Sequence, residues 1–295
     1  MFSSLHTEAT WILMEELERA GVTGYVGKVN MDRNALPGIL QETTEESVSE
    51  TLRWLDGCHF EHVRPILTPR FTPSCSNKLM AALGRIARDR GLYVQSHLSE
   101  NRGEIAWVKE LHPDCAQYWE TYDKYGLWKD HTVMAHCVHS GPEELALLKE
   151  RGVFMAHSPE SNTNLASGVA PTRRFLEQGL SVGLASDVAG GSSLNLFRAM
   201  AHAVQASKLR WRLLDEDTPP LTFPQVFWLA TLGGGRFFGP VGTFAKGYAF
   251  DALVLNDRLF PTVLPLPIEQ RVERLAYLAE ERCLTAKFVS GRRIL

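Results

Sequence analysis

Cysteine is scarce and unpatterned in this chain. The five residues (Cys58, Cys75, Cys115, Cys137, Cys283) are odd in number and never spaced as CxxC. That argues against a disulfide framework and against a cysteine-ligated zinc site, and a reducing compartment fits best. An excess of one charge is missing too. Thirty-one Lys and Arg against 34 Asp and Glu leave −3 with His neutral, which offers no electrostatic footprint for nucleic acid or an anionic membrane. The basic clusters Arg292–Arg293 and Lys208 to Arg212 are short and read as solvated faces. No apolar run is long enough to span a bilayer. The start, MFSSLHTEATWILMEELERAG, lacks a basic leader and carries its apolar residues at helical spacing, so no signal peptide is expected and the cytoplasm is the expected location. No GxGxxG or GxxxxGK[ST] loop follows the first strand-like run, which lowers the dinucleotide and P-loop readings. The PCxxC element of the cytidine-deaminase type of zinc site is also absent.

What is present is a series of short apolar runs alternating with amphipathic stretches, in a chain whose 44% apolar residues can bury a sizeable core. GYVGKV (24–29) precedes a helical pattern in TTEESVSETLRWLDG, and VRPILTP (63–69) precedes SNKLMAALGRIARDRG, where Leu79, Leu83 and Ile86 share one face and Gly91 supplies the stop. LYVQSH (92–97) leads to a helix over 101–111, and HTVMAH (131–136) to one over 141–152. VFMAH (153–157) leads to one near 171–178, and LSVGLASD (180–187) closes the series. These strands are rich in Val, Ile and Leu without clean alternation, as strands buried on both faces are. Six βα units in series predict an α/β fold, a (β/α)₈ barrel first and a doubly wound sheet second. After residue 238 the composition changes. FGPVGTFAKGYAFDALVLN and AKFVSGRRIL read as short strands of a small β layer, with the Pro-rich LFPTVLPLPIE between them.

Position carries the functional signal. In a βα barrel the reactive groups sit at the C-terminal ends of strands, and His97, His136, His157 and Asp187 all fall there on separate runs. Neutral imidazole and carboxylate are the ligand types that zinc and related ions accept. Glu100 follows His97 by three residues; read alone it is a first-turn helix carboxylate. Arg70 read alone is an ion-pair partner, and His157 and Asn162 are as well explained by structure. Gly190 and Gly191 permit a tight turn after Asp187. The remaining histidines (6, 59, 62, 112, 131, 139, 202) read as surface or packing residues.

The segments PRFTPSCS, QSHLSEN, VMAHCVHS, HSPESNTNL and SDVAGG, together with GKVNMDRN and LATLGGGRFFG, resemble the guanine deaminases of the amidohydrolase superfamily, in the same order and along essentially the whole chain. The resemblance implies a (β/α)₈ barrel with a small β-sandwich built from both chain ends. It also implies one zinc ion held by an HxH pair, the strand-five His97 and the strand-eight Asp187. His136 matches a histidine close to the water and substrate, and Glu100 the carboxylate that shuttles protons to the purine. Arg70 and Phe71 match the pair that hydrogen-bonds and packs guanine, beside which His97 and Asp187 also face the substrate. The chemistry is consistent: zinc makes water acidic enough to attack near neutral pH, Asp187 can orient it, and Glu100 can pass its proton to a ring nitrogen. Arg offers a planar fork to a carbonyl, and Phe a ring face.

No HxH occurs in the 295 residues. Counting GYVGKV as strand three makes His97, His136 and Asp187 the ends of strands five, six and eight. The expectation is therefore a barrel lacking strands one and two, over 1–238, with the C-terminal part of the sandwich over 239–295. Met1 is then expected to be an internal start or that of a truncated isoform. The expected reaction is guanine plus water to xanthine and ammonia, with a homodimer implied by the resemblance and the activity of this chain open. The alternatives are an amidohydrolase for another aminopurine or a triazine-like ring, and an inactive isoform retaining a partner-binding surface.

Overall fold

The computed structural model describes residues 1–295 and divides into two compact units, Met1–Phe154 and Met155–Leu295. In the first unit, α1 (Thr7–Ala20) starts later than the apolar spacing suggests. Residues 1–4 instead lie parallel beside the segments β1 (Gly24–Val26) and β2 (Val29–Asn30). Ser3 N–H donates to Gly27 O at 3.0 Å, Gly27 N–H to Met1 O at 3.0 Å, and Val29 N–H to Ser4 O at 2.9 Å. Ser3 and Ser4 are indifferent helix formers, and the strand edge satisfies backbone groups that would otherwise lack partners. The sequence pattern does not reveal this pairing.

Helix α2 (Thr44–Asp56) opens with a capping box: Thr43 accepts from Glu46 N–H, while Glu46 accepts from Thr43 N–H. Its Trp54 is wholly buried. The segments β3 (Val63–Pro65) and β4 (Thr68–Pro69) pair in parallel with β1 and β2. Gly27 cannot carry a side chain there, because a Cβ would stand 1.7 Å from Thr68 Oγ1 and 2.5 Å from Ile66 O. Helix α3 (Asn77–Asp89), capped by Ser76, buries Leu79, Leu83 and Ile86 as its spacing predicts. It is followed by β5 (Val94–Leu98), α4 (Arg102–Leu111), α5 (Glu120–Asp123), β6 (Thr132–His136) and α6 (Pro142–Glu150). β5 and β6 are parallel, with Val94 opposite Thr132 and Leu98 opposite His136.

The second unit begins within β7 (Phe154–His157) and continues through α7 (Pro159–Asn164), α8 (Thr172–Glu177) and β8 (Val182–Leu184), where His157 lies opposite Leu184 in a parallel pair. Of the helices here that the sequence pattern does not mark, two are longer than two turns. The first, α9 (Leu196–Leu213), is capped by Asn195 and buries Met200, Ala203 and Val204. It shares a core with Val226 of α10 (Phe223–Trp228) and Ala276. Residues 239–251, expected to begin the β layer, are turns. The strand β9 starts at Ala252 (Ala252–Leu255), and after α11 (Ile268–Leu278) it pairs antiparallel with β10 (Leu284–Val289), which β11 (Arg292–Arg293) flanks. α11 is the second unexpected helix; it starts directly after Pro267, the last proline of the connector. No helix is long and apolar enough to cross a membrane.

His112 packs inside the first unit with Nε2 3.0 Å from Arg33 Nη2. Burial, with Lys124 and Arg33 nearby, lowers its pKa from 6.5 to about 4. Between those values the unfolded chain takes up a proton that the folded chain refuses. This contribution to stability is present above 6.5 and is lost as pH falls towards 4. His112→Gln is expected to flatten that part of the stability–pH curve, measured by urea unfolding across the window. A slope unchanged from wild type would contradict it.

Candidate active site

His97 lies near the end of β5 and His136 at the end of β6, with their rings 5.2 Å apart and nearly parallel at 19°. Arg70 O, a pure acceptor, lies 2.5 Å from His97 Nδ1, so Nδ1 carries the proton and Nε2 keeps its lone pair. Burial first, and the neighbouring His136 second, lower the His97 pKa to about 3 and hold the ring neutral. A neutral imidazole oriented by a hydrogen bond through its other nitrogen is the form a metal ion requires. The carbonyl of His97 is fixed as well. Tyr122, fully buried, donates to it at 2.8 Å, lies 2.9 Å from Ser96 Oγ, and accepts from Thr72 N–H at 3.2 Å.

Glu100 comes from the loop after β5, and its Oε2 stands 3.7 Å from His136 Nε2. This loop corrects the plainer reading of Glu100. The helix begins at Arg102 with Asn101 as its cap, so the first-turn carboxylate is Glu104, and Glu100 precedes the helix altogether. Arg70 and Phe71 follow β4; the Arg70 guanidinium is exposed and lies 4.6 Å from the centre of the Phe71 ring. Trp107 of α4 meets the same ring edge-on at 6.3 Å. Thus His97, His136, Glu100 and the Arg70 backbone, separated by up to 66 positions in sequence, gather at one end of the parallel strands of the first unit.

In the second unit Asp187 follows β8 in a turn closed by a 2.6 Å hydrogen bond from Gly191 N–H to Asp187 O. Gly190 must be glycine here, since a Cβ would lie 2.5 Å from Ser161 Oγ and 2.9 Å from Asp187 Oδ2. His157 is buried at the end of β7, and its carbonyl accepts from Ala185 N–H at 2.9 Å. Of the seven non-glycine residues with positive φ, four are Ser99, His136, Cys137 and Asp187. Strain of this kind costs about 1–3 kcal/mol per residue and gathers at functional sites. The sequence shows none of it. Glu104, Tyr118 and Tyr122 also escape a sequence reading focused on strand ends, although the Asn101 to Glu104 spacing of a capping box is visible there.

The amidohydrolase family model matches residues 3–294. The chain belongs to the amidohydrolase family. Within that family it stands among the guanine deaminases. It is 39% identical over 309 residues to the guanine deaminase of Mus musculus, covering 100% of this chain and 68% of that protein. It is 30% identical over 306 residues to that of Escherichia coli K12, covering 99% and 67%. In structure it is similar to the guanine deaminase of C. acetobutylicum solved with guanine in its active site. That TM-score is 0.94 at 43% identity, covering 100% of this chain and 70% of that one. A triazine hydrolase, 21% identical with a TM-score of 0.81, shares the fold alone. Amidohydrolases are generally metal-dependent, and the bare Nε2 of His97 suits this amidohydrolase to an ion that accepts imidazole.

Proposed function

We propose that this chain is a guanine aminohydrolase, converting guanine and water to xanthine and ammonia. The observation that carries the reading is the approach of Glu100 to His136 within 3.7 Å, beside a neutral His97, in a chain 39% identical to a named guanine deaminase. The ion proposed is zinc, with His97 and Asp187 as the ligands this chain provides; when bound it would raise the acidity of water and polarise the site. Glu100 moves one proton of the attacking water to a ring nitrogen. His136 donates a hydrogen bond where charge develops on oxygen. Asp187 orients the water, accepts its second proton and passes it to the amine, which departs as ammonia. Arg70 presents its planar donors to the purine carbonyl, and Phe71 covers one face of the ring.

The fold proposed is the amidohydrolase type of (β/α)₈ barrel over residues 1–238, without its strands one and two, followed by the C-terminal part of a small β-sandwich over 239–295. The six parallel βα units and the three-stranded antiparallel sheet support it. A homodimer in the cytoplasm completes the proposal. The triazine-like alternative rests on fold likeness at 20–21% identity and is not favoured, nor is an inactive isoform.

Zinc per chain by elemental analysis, with xanthine and ammonia assayed from guanine, tests the reading. About one zinc with stoichiometric release of both products is expected. Turnover of a triazine or another aminopurine without guanine would reject it, as would a zinc-loaded chain inert towards guanine.

A further inference from the structure

A capping box ordinarily lies at the protein surface, with a carboxylate that water can reach. The one that opens α4 does not. Glu104 is only 7% exposed, and three donors converge on its carboxylate. Its Oε2 accepts from Glu100 N–H at 2.8 Å as well as from Asn101 N–H at 3.2 Å, and its Oε1 accepts from the buried Tyr118 hydroxyl at 2.6 Å. The second bond is the ordinary one of a capping box. The first is an addition, and it falls on the backbone of the residue whose side chain reaches His136.

The loop is tied down on the other side of Glu100 too. Ser99 holds a left-handed backbone (φ 48°), its Oγ donates to the buried Glu144 carboxylate at 2.9 Å, and its carbonyl accepts from His139 N–H at 3.0 Å. Two carboxylates thus grip the chain on either side of one residue: Glu144 at Ser99, Glu104 at Glu100 and Asn101. Helix capping alone needs neither the Glu100 bond nor the Tyr118 lock. Fixing the position from which the Glu100 side chain departs needs both.

We propose that Glu104, locked by Tyr118, is a positioning residue that aims Glu100 at its reacting partners through the Glu100 amide. The idea rests on the guanine aminohydrolase reading for its catalytic consequence, though not for the clamp itself. A glutamine at 104 offers the loop amides a neutral carbonyl in place of a charged carboxylate and must reverse its bond with the tyrosine hydroxyl, so both halves of the clamp weaken.

The test uses the full chain with Glu104→Gln and Tyr118→Phe, read in two ways. Amide hydrogen exchange of Glu100 and Asn101 is expected to accelerate by about ten-fold or more in Glu104→Gln, and less in Tyr118→Phe, while β5 stays protected. Guanine turnover is expected to fall by about 10- to 100-fold in kcat, with KM within about two-fold of wild type, because misaimed groups lose rate without losing ground-state binding. Unchanged exchange at both amides, or unchanged kcat with the amides released, would overturn the proposal. A wild-type chain that does not turn over guanine would sink the functional reading instead, and the exchange measurement would still decide the clamp. If Glu104→Gln fails to fold, Tyr118→Phe carries the same two readouts, with the same outcomes for and against.

Discussion

Glu100→Gln is expected to reduce guanine turnover by about 10²–10⁴-fold, the usual contribution of a positioned proton carrier. The amide matches the carboxylate in size and keeps an acceptor, so the loop held by Glu104 and Glu144 has no reason to move. What disappears is the capacity to take a proton from water and release it to a ring nitrogen within one cycle. The loss belongs to kcat, about 3–5 kcal/mol of barrier, with KM little changed and the thermal melt close to wild type. Retention of half or more of the wild-type kcat would show that Glu100 carries no proton, and would return it to a purely structural role.

Lys28→Met is expected to give the largest loss of stability. Lys28 is fully buried between β1 and β2, with Nζ 2.9 and 3.0 Å from the two carboxylate oxygens of Glu42. Burial lowers the lysine pKa, and Glu42 opposes that shift. Removing one partner strands the other. A buried pair broken this way costs about 3–5 kcal/mol, and the 14% exposure of the Glu42 side chain sets the expectation at the lower end. Adding Glu42→Met to Lys28→Met is expected to restore much of the loss, since no charge is then left alone. Denaturant midpoints of the two single variants and the double variant measure the coupling. A Lys28→Met cost below about 1 kcal/mol would mean that water reaches Glu42 and the pair contributes as a surface bridge does.

The two predictions rest on different kinds of information. Glu100 stands out in the amino-acid sequence alone, because a carboxylate three residues beyond a strand-end histidine is a pattern in one dimension. The partnership of Lys28 with Glu42 does not, since they lie 14 positions apart with no helical or strand spacing between them. The same contrast runs through the fold. All six strand runs and the helices after the first five are legible, because burial on two faces leaves unbroken apolar runs and burial on one face leaves a 3.6-residue period. Helix α9 is harder to read: its interior is largely alanine, with Met200 and Val204, a face that periodicity marks weakly. α11 reads only as a connector, since its prolines precede it and set its start without ending it.

The sequence by itself determined the parallel βα series, the family, and the residues His97, Glu100, His136 and Asp187 at strand ends, all of which follow from local pattern and motif order. Only the tertiary structure decided that Arg70 O sets the His97 tautomer, that Glu100 precedes its helix, and that two buried carboxylates grip the loop around it. It alone showed residues 1–4 pairing beside Gly27. The physical reason is range. Spacing along the chain records which face of an element is apolar, whereas a hydrogen bond between residues 27 or 45 positions apart leaves no period behind and exists only once the strands have brought its donors and acceptors together.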